Sequence, residues 1–247
     1  MDVRELAIAT VTLARADDAR TLRDSLEALS ATGAAVTVAD GGSPTSFVRA
    51  AARLPNVTLL QVVGESLVGQ VRASLTHARR TGARVLLYTE PDKRDFFRMH
   101  LPAFLEAAAP DENTGIVLAS RTPAAFATFP PVQQYTETVA NQLCGDATRL
   151  DADFMYGPFL VHPRLLPFLE DLPAAVGWGW RPFLFGLAPR LGLRVRSVAG
   201  DYTCPPAYCL PDEAERLHRM RQLSQNVDGL VRAFSVVIDR DAPARQE

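Results

Sequence analysis

Glu90 and Asp92 flank Pro91 where the apolar run Val85-Leu86-Leu87-Tyr88 ends, and Lys93, the only lysine of the chain, follows them. In an extended segment, side chains at i and i+2 point the same way. Both carboxylates therefore face one place just beyond the end of a buried strand, which is where open α/β sheets bind ligands. Two hard oxygen donors there suit Mg²⁺ or Mn²⁺, held partly by the protein and partly by substrate phosphates. A plainer reading uses the same residues. Pro91 ends the strand, and Asp92 caps a helix starting near Lys93, with Asp95 as its capping-box partner.

Little else in the chain has metal-ligand spacing. Cys204 and Cys209 flank Pro205-Pro206, the third cysteine is Cys144, and four histidines are scattered. That pattern fits reduced thiols better than a zinc site. A net charge of −2 gives no general affinity for nucleic acid or anionic membrane. Asp2, Arg4 and Glu5 stand where a signal peptide needs apolar residues. No apolar run approaches the roughly 20 residues that span a bilayer. The expectation is a cytoplasmic protein with no integral membrane segment and no nucleic-acid partner.

The elements that would position the carboxylates alternate through the first half. Strands are expected at Leu6–Thr12, Ala35–Ala39, Val57–Val63, Val85–Tyr88 and Gly115–Ser120. Helices are expected at Asp17–Ser30, Thr45–Leu54, Ser66–Arg80 and Asp95–Ala109. Such alternation predicts an α/β fold with a mostly parallel central sheet flanked by helices. In the second half, 121–135 reads as a loop, Thr136–Leu143 as helix and Tyr156–Val161 as strand. Pro163–Leu169 reads as a short helix, and Pro173–Trp180 shows no clear period. Pro182–Leu191 reads as helix, Leu193–Val198 as the last strand, 204–211 as a Pro-rich loop and Asp212–Phe234 as a long polar helix.

The order of motifs resembles the GT-A fold of nucleotide-sugar glycosyltransferases. It is most similar to family 2 enzymes that act on polyprenyl phosphates and, more distantly, to glycerate glycosyltransferases. The likeness runs from Leu6 to Val198. The family's Asp-Asp-Gly-Ser after the second strand matches Asp40-Gly41-Gly42-Ser43, with Gly41 in place of the second Asp. By that match Asp40 contacts the base or ribose; without a ligand the same residues form an Asx turn. The family's Asp-x-Asp falls on Glu90-Pro91-Asp92, with Glu for the first Asp. Its Ser-Arg, its helix carrying Asn and its Asp-x-x-Ser-Gly-Phe block correspond to Ser120-Arg121, Asn141 with Gly145, and Asp153-Phe154-Met155-Tyr156-Gly157-Pro158-Phe159. Tyr156 replaces the Ser.

The resemblance implies one GT-A domain over 1–247, with a nucleotide-sugar half at 1–120 and an acceptor half, including the C-terminal helix, at 121–247. It puts Thr10, Thr12, Asp40, Gly69, Arg72, Glu90 and Lys93 around the donor nucleotide. Arg121, Tyr156, Gly157 and Trp180 complete the donor set. It puts Mn²⁺ or Mg²⁺ on Glu90 and Asp92, with His218 as a third ligand, although His218 also reads as a solvated residue among Arg216, Arg219 and Arg221. The expected partners are a nucleoside diphosphate sugar and a small-molecule or lipid-phosphate acceptor.

Inverting relatives carry a carboxylate base in the segment matching Gly177-Trp178-Gly179-Trp180-Arg181, yet no Asp or Glu stands between Asp171 and Asp201. A neutral hydroxyl needs a base; a phosphate or carboxylate is already ionised, the second pKa of a phosphate monoester being about 6. Arg181 suits such an anionic acceptor, and Asp153 is the candidate base if the acceptor is neutral. Retaining chemistry, which needs no such base, stays open. Trp178 and Trp180 read as sugar-stacking rings or as core.

Two rival functions differ in kind. A sugar nucleotidyltransferase would resemble a Gly-rich basic loop after the first strand, where this chain has Thr12-Leu13-Ala14-Arg15-Ala16-Asp17 without glycine. A non-catalytic nucleotide-sugar binder is compatible with Gly41, Glu90 and the missing base.

Overall fold

The computed structural model describes residues 3–15, 18–206, 209 and 213–238. Asp17 and Asp212, expected as helix starts, lie outside them, as do residues 207, 208, 210 and 211 of the Pro-rich loop.

Seven strands form one sheet in the order β3-β2-β1-β4-β6-β5-β7. They are β1 Leu6–Thr12, β2 Ala35–Asp40, β3 Val57–Gln61, β4 Val85–Tyr88, β5 Thr114–Arg121, β6 Phe159–Val161 and β7 Arg194–Gly200. β6 runs antiparallel to both its neighbours, and all other pairs are parallel. Central β1 is buried along its whole length, while edge strands β3 and β7 are mostly half-buried. A parallel strand covered on both faces reads in this way as a continuous apolar run.

Alternation along the strands sorts side chains into two cores. Ala7, Ala9, Val11, Leu86 and Tyr88 face one side, under helices α3 (Leu67–Arg79), α6 (Pro131–Thr148), α7 (Trp180–Arg190) and α8 (Glu213–Ser235). Leu6, Ile8, Val36, Val38 and Leu87 face the other, under α1 (Ala19–Ser30), α2 (Thr45–Ala51) and α4 (Leu101–Ala108). The C-terminal ends of β1, β2, β4 and β5 all reach one sheet edge. Antiparallel β6 starts at that edge, so the segment before Phe159 is delivered beside the end of β4: Tyr88 pairs with Ala9 on one side and with Phe159 on the other.

The expected strands and helices of the first half are present, with ends shifted by a few residues. The departures trace to proline. Pro123 and Pro131 do not make 121–135 a loop. They occupy the first turns of α5 (Pro123–Phe126) and of α6, where a missing N–H costs nothing. The expected helix at Thr136–Leu143 is thus only the middle of α6. Pro102 has no N–H for a regular helix over 95–109, and the chain answers with a π-helical turn at Phe96–His100 before α4. Among the described residues no helix is long and apolar enough to cross a membrane.

Candidate active site

β4 stops at Tyr88, and Glu90 follows it almost fully buried, 8% exposed. Its Oε1 accepts a 2.8 Å hydrogen bond from Nη1 of Arg181, which sits in the first turn of α7 with its guanidinium 5.3 Å from the Trp178 ring. Its Oε2 is buried with no hydrogen-bond partner, and Nε of Arg181 is likewise unpartnered. Gly157 makes room for that oxygen. A Cβ there would lie 2.0 Å from Oε2, and the residue's φ of +129° also favours glycine. With Oε1 committed to Arg181, Glu90 has one oxygen left to offer a ligand.

Asp92, half-buried, gives both its oxygens to Nζ of Lys93, at 2.8 and 2.7 Å. Lys93 lies 5.7 Å from the Tyr156 ring centre, and its Cε passes 3.2 Å from where a Gly157 Cβ would be. The i, i+2 geometry expected at the strand exit thus becomes two carboxylates of unlike state, one with a free oxygen and one closed by a neighbouring ammonium. Hard oxygen donors, an orphaned buried Glu90 Oε2 and the space left at Gly157 fit a divalent cation that takes its other ligands from diphosphate and water.

His218 does not complete the set. It is exposed on α8, and among the described residues no group of three or more His, Cys, Asp or Glu side chains is arranged to hold a metal. What burial its ring has, with Arg219 beside it, lowers its pKa, while Glu215 pulls the other way.

Asp153 is no free base. Its carboxylate accepts from the backbone N–H, Nε and Nη2 of Arg121 at 3.2, 2.5 and 3.0 Å. It also accepts from Asn141 Nδ2 and the Met155 N–H, each at 3.1 Å. Burial alone would push the Asp153 carboxyl up, but Arg121 more than offsets this and holds it below the usual carboxylate range. Arg121 is itself sealed in, bonded to Glu137 at 2.5 Å and packed on Phe126 and Phe129 at 4.7 and 4.3 Å. From α8, Arg219 reaches Glu137 at 3.3 Å. Sequence reasoning placed Arg121 at the donor and Asp153 at the acceptor; together they form a buried clasp that holds the segment leading to Gly157.

Asp40 is likewise spent within the chain. It is fully buried, and it accepts from Thr12 Oγ1 at 2.8 Å, from the N–H groups of Gly42 and Ser43 at 3.1 and 2.9 Å, and from the Ser43 hydroxyl. This is the Asx-turn alternative, tied to β1 through the Thr12–Asp40 register. Gly41 leaves room for the Gln70 amide: a Cβ there would lie 2.6 Å from Gln70 Nε2, and the amide would have to shift. Gly69 does the same for Glu65, whose carboxylate folds over the start of α3, capped by Ser66. Arg72, on α3, donates to the Glu170 carbonyl at 3.1 Å.

Thr10 is fully buried within β1, its hydroxyl unpartnered. Trp180 is core: fully buried, edge-on to Tyr88 at 4.5 Å and 5.7 Å from Phe159. It is therefore no sugar platform. Tyr156 instead stacks on Tyr202, rings 4.8 Å apart and 14° from parallel. Tyr202 and Glu137 were not picked out from sequence, and Arg219 reads there only as one of the arginines around His218, whereas it bonds Glu137 and Glu215. Gln133 and Glu137 pair at i, i+4 on α6, a spacing hidden from the sequence because 121–135 reads as a loop.

No family model matches the chain, and no curated protein matches it. Solved structures do. A crystal structure described only as a mycobacterial protein shares 17% identity over 95% of this chain and 76% of its own, with a TM-score of 0.63. Glucosyl-3-phosphoglycerate synthase from Mycobacterium tuberculosis, in complex with Mn²⁺, UDP and glucosyl-3-phosphoglycerate, shares 16% over 92% of this chain and 80% of its own, with a TM-score of 0.60. The fold is GT-A. Mannosyl-3-phosphoglycerate synthase from Rubrobacter xylanophilus is also similar, at 12% identity over 96% and 78% of the two chains and a TM-score of 0.57. At these identities the likeness establishes the GT-A architecture, and the chemistry has to be argued from the side chains.

Proposed function

We propose that this chain is a metal-dependent glycosyltransferase that moves a sugar from a nucleoside diphosphate sugar to a small anionic acceptor of the phosphorylated hydroxy-acid class. The observation that carries the reading is the state of Glu90: one oxygen fixed by Arg181 and the other buried, unpaired and facing Gly157, beside Asp92 and Lys93. A buried carboxylate oxygen without a partner is costly unless a ligand completes it. The fold supports the same reading, since two GT-A structures of this shape are glycosyl-3-phosphoglycerate synthases, one of them holding Mn²⁺ and UDP.

In the reaction, the bond between the anomeric carbon and the diphosphate oxygen breaks. The nucleoside diphosphate leaves with the electron pair, and an already ionised phosphate or carboxylate oxygen of the acceptor bonds to the anomeric carbon, so that no proton has to be removed. A divalent Mn²⁺ or Mg²⁺, when bound, would supply Lewis-acid neutralisation of the charge that gathers on the leaving diphosphate. Glu90 Oε2 and Asp92 would hold it, with Arg181 keeping Glu90 in a single-oxygen orientation. Lys93 adds a positive charge within reach of the same phosphates. Arg181, which sequence reasoning placed at the acceptor, acts here as a positioning residue. The anionic character of the acceptor rests instead on the missing base, because Asp153 is saturated and Asp171 to Asp201 contains no other carboxylate. An acceptor already ionised near neutrality needs none.

The deciding experiment is thermal stabilisation by UDP, GDP and TDP, with and without Mn²⁺, on the wild type and on Asp92→Ala. A ligand bound only to the native state raises the melting temperature. A Mn²⁺-dependent rise with one nucleotide, absent in Asp92→Ala, is expected. No rise with any nucleotide in a folded sample would leave the non-catalytic reading in place.

A further inference from the structure

Four charged side chains meet at the end of β4, and their charges cancel: Glu90 and Asp92 against Arg181 and Lys93. The two cations are held differently. Arg181 is 3% exposed and takes one oxygen of Glu90, leaving the other free. Lys93 keeps part of its side chain in solvent and takes both oxygens of Asp92. Its stem and Glu90 Oε2 both border the space that a Cβ at Gly157 would fill. The ammonium thus holds the second carboxylate, while Oε2 of the first stays free. A divalent cation shared by Glu90 and Asp92 must take Asp92 oxygens that the ammonium now holds. A lysine suits a temporary occupant: its charge is compact, its stem is flexible, and it is as much at home on a phosphate as on a carboxylate. The fixed planar fork of Arg181 suits a permanent one.

We infer that Lys93 is a built-in counter-cation for Asp92, displaced when a divalent metal arrives with the donor diphosphate. The inference rests on the functional reading above and adds how its metal site is regulated. While no diphosphate is present, Lys93 competes with the metal for Asp92, and free Mn²⁺ binds weakly. A nucleoside diphosphate gives the ammonium a second anion to move to and gives the metal its remaining oxygen ligands. Metal and nucleotide therefore strengthen each other's binding, reciprocally, as linkage requires.

Mn²⁺ binding, followed by electron paramagnetic resonance without nucleotide, tests this on the wild type, Lys93→Met and Lys93→Gln. Removing the competitor should tighten Mn²⁺ binding about tenfold, within the range of ordinary coupling between sites. The reciprocal gain in UDP affinity on adding Mn²⁺ should shrink by a similar factor. Unchanged or weaker Mn²⁺ binding in both variants overturns the inference, and so does Mn²⁺ binding undetectable in all three proteins. A second measurement needs no variant. Because Lys93 is the only lysine, protein labelled with [¹⁵N]lysine gives one side-chain ammonium signal. Displacement predicts that it shifts when Mg²⁺ and UDP are added together; an unmoved signal, with UDP shown to bind, overturns displacement. The arms fail separately: a wild type that binds no nucleoside diphosphate sinks the functional reading, whereas UDP·Mn²⁺ binding without a Lys93 effect sinks only this inference.

Discussion

Arg121 with Asp153 and Arg181 with Glu90 are both buried arginine–carboxylate pairs at the same edge of the sheet, but they are completed to different degrees. The Asp153 carboxylate accepts five hydrogen bonds, and its arginine also holds Glu137 and rests on two phenylalanine rings. The Glu90 carboxylate accepts one and keeps a buried oxygen empty. A buried charge costs least when every lone pair is met, so the first pair behaves as scaffold. The second forgoes that satisfaction at a strand exit where ligands bind in α/β sheets. How many partners a carboxylate has therefore separates the closed pair from the open one more sharply than burial, which is nearly equal for the two.

Removing the arginines puts the contrast under the greatest load. Arg121→Ala leaves Asp153 as a buried, uncompensated charge and Glu137 with Arg219 as its remaining cation, and should cost about 3–5 kcal/mol in urea unfolding. Arg181→Ala should cost less, because it breaks one hydrogen bond to one carboxylate where Arg121→Ala breaks three to two; equal losses would erase the distinction. Exchanging the carboxylates for amides sharpens it. Glu90→Gln should lower turnover about a hundredfold or more, as loss of transition-state charge stabilisation does, and abolish the Mn²⁺-dependent thermal shift. Asp153→Asn should act chiefly on stability. Gly157→Ala joins the two effects: its backbone strain costs about 1–3 kcal/mol, and its methyl displaces Glu90 Oε2, so Mn²⁺ binding should fall with the melting temperature.

The acid limb of stability should belong to the scaffold pair. The folded-state carboxyl of Asp153 is held below its ordinary value, so its contribution is complete above the unfolded aspartate pKa of about 3.9 and is lost as the pH falls through the depressed value. In Asp153→Asn, the drop in melting temperature on acidification below pH 4 should be shallower; an unchanged acid limb would remove Asp153 from this role. The smallest effect concerns two thiols that belong to neither pair. Burial pushes the Cys144 thiol up to about 12, whereas Cys209 is exposed. A thiol reagent at pH 8 should label Cys209 in the native protein and leave Cys144 untouched, as mass spectrometry of the peptides would show.

Much of the sheet was legible because its strands are local. Val85–Tyr88 is a closed apolar run, and the turn chemistry after Asp40 and the carboxylates after Tyr88 mark its neighbours' ends without reference to the rest of the chain. Asp40 showed the limit of that reading. The residues spell a nucleotide motif or an Asx turn equally well, and only the register with Thr12 decides what fills the carboxylate. The clasp of Arg121, Glu137 and Asp153 was out of reach for a related reason: its members lie on a strand, a helix and a loop, and pairing through space leaves no period in the sequence. Trp180 and His218 were judged by residue type, and the packing of α7 and α8 then put the first in the core and the second on the surface. Lys93 stood out only as a singular residue; its grip on Asp92 is a matter of rotamer.

Near the far end of the chain, α8 touches the segment bearing Trp178 and Arg181 through bare backbone. The Gly179 carbonyl oxygen lies 1.9 Å from where a Cβ of Gly229 would stand, and Gln225 closes over Gly177 with its Oε1 accepting from the Trp178 N–H. A contact so close has no slack to absorb a methyl group. The last helix thus works as a jig, clamping from outside the loop that aims Arg181 at Glu90. Changes in α8 that never touch a substrate would be read out at the active carboxylate, which makes this helix a place to retune the site without altering any residue that lines it.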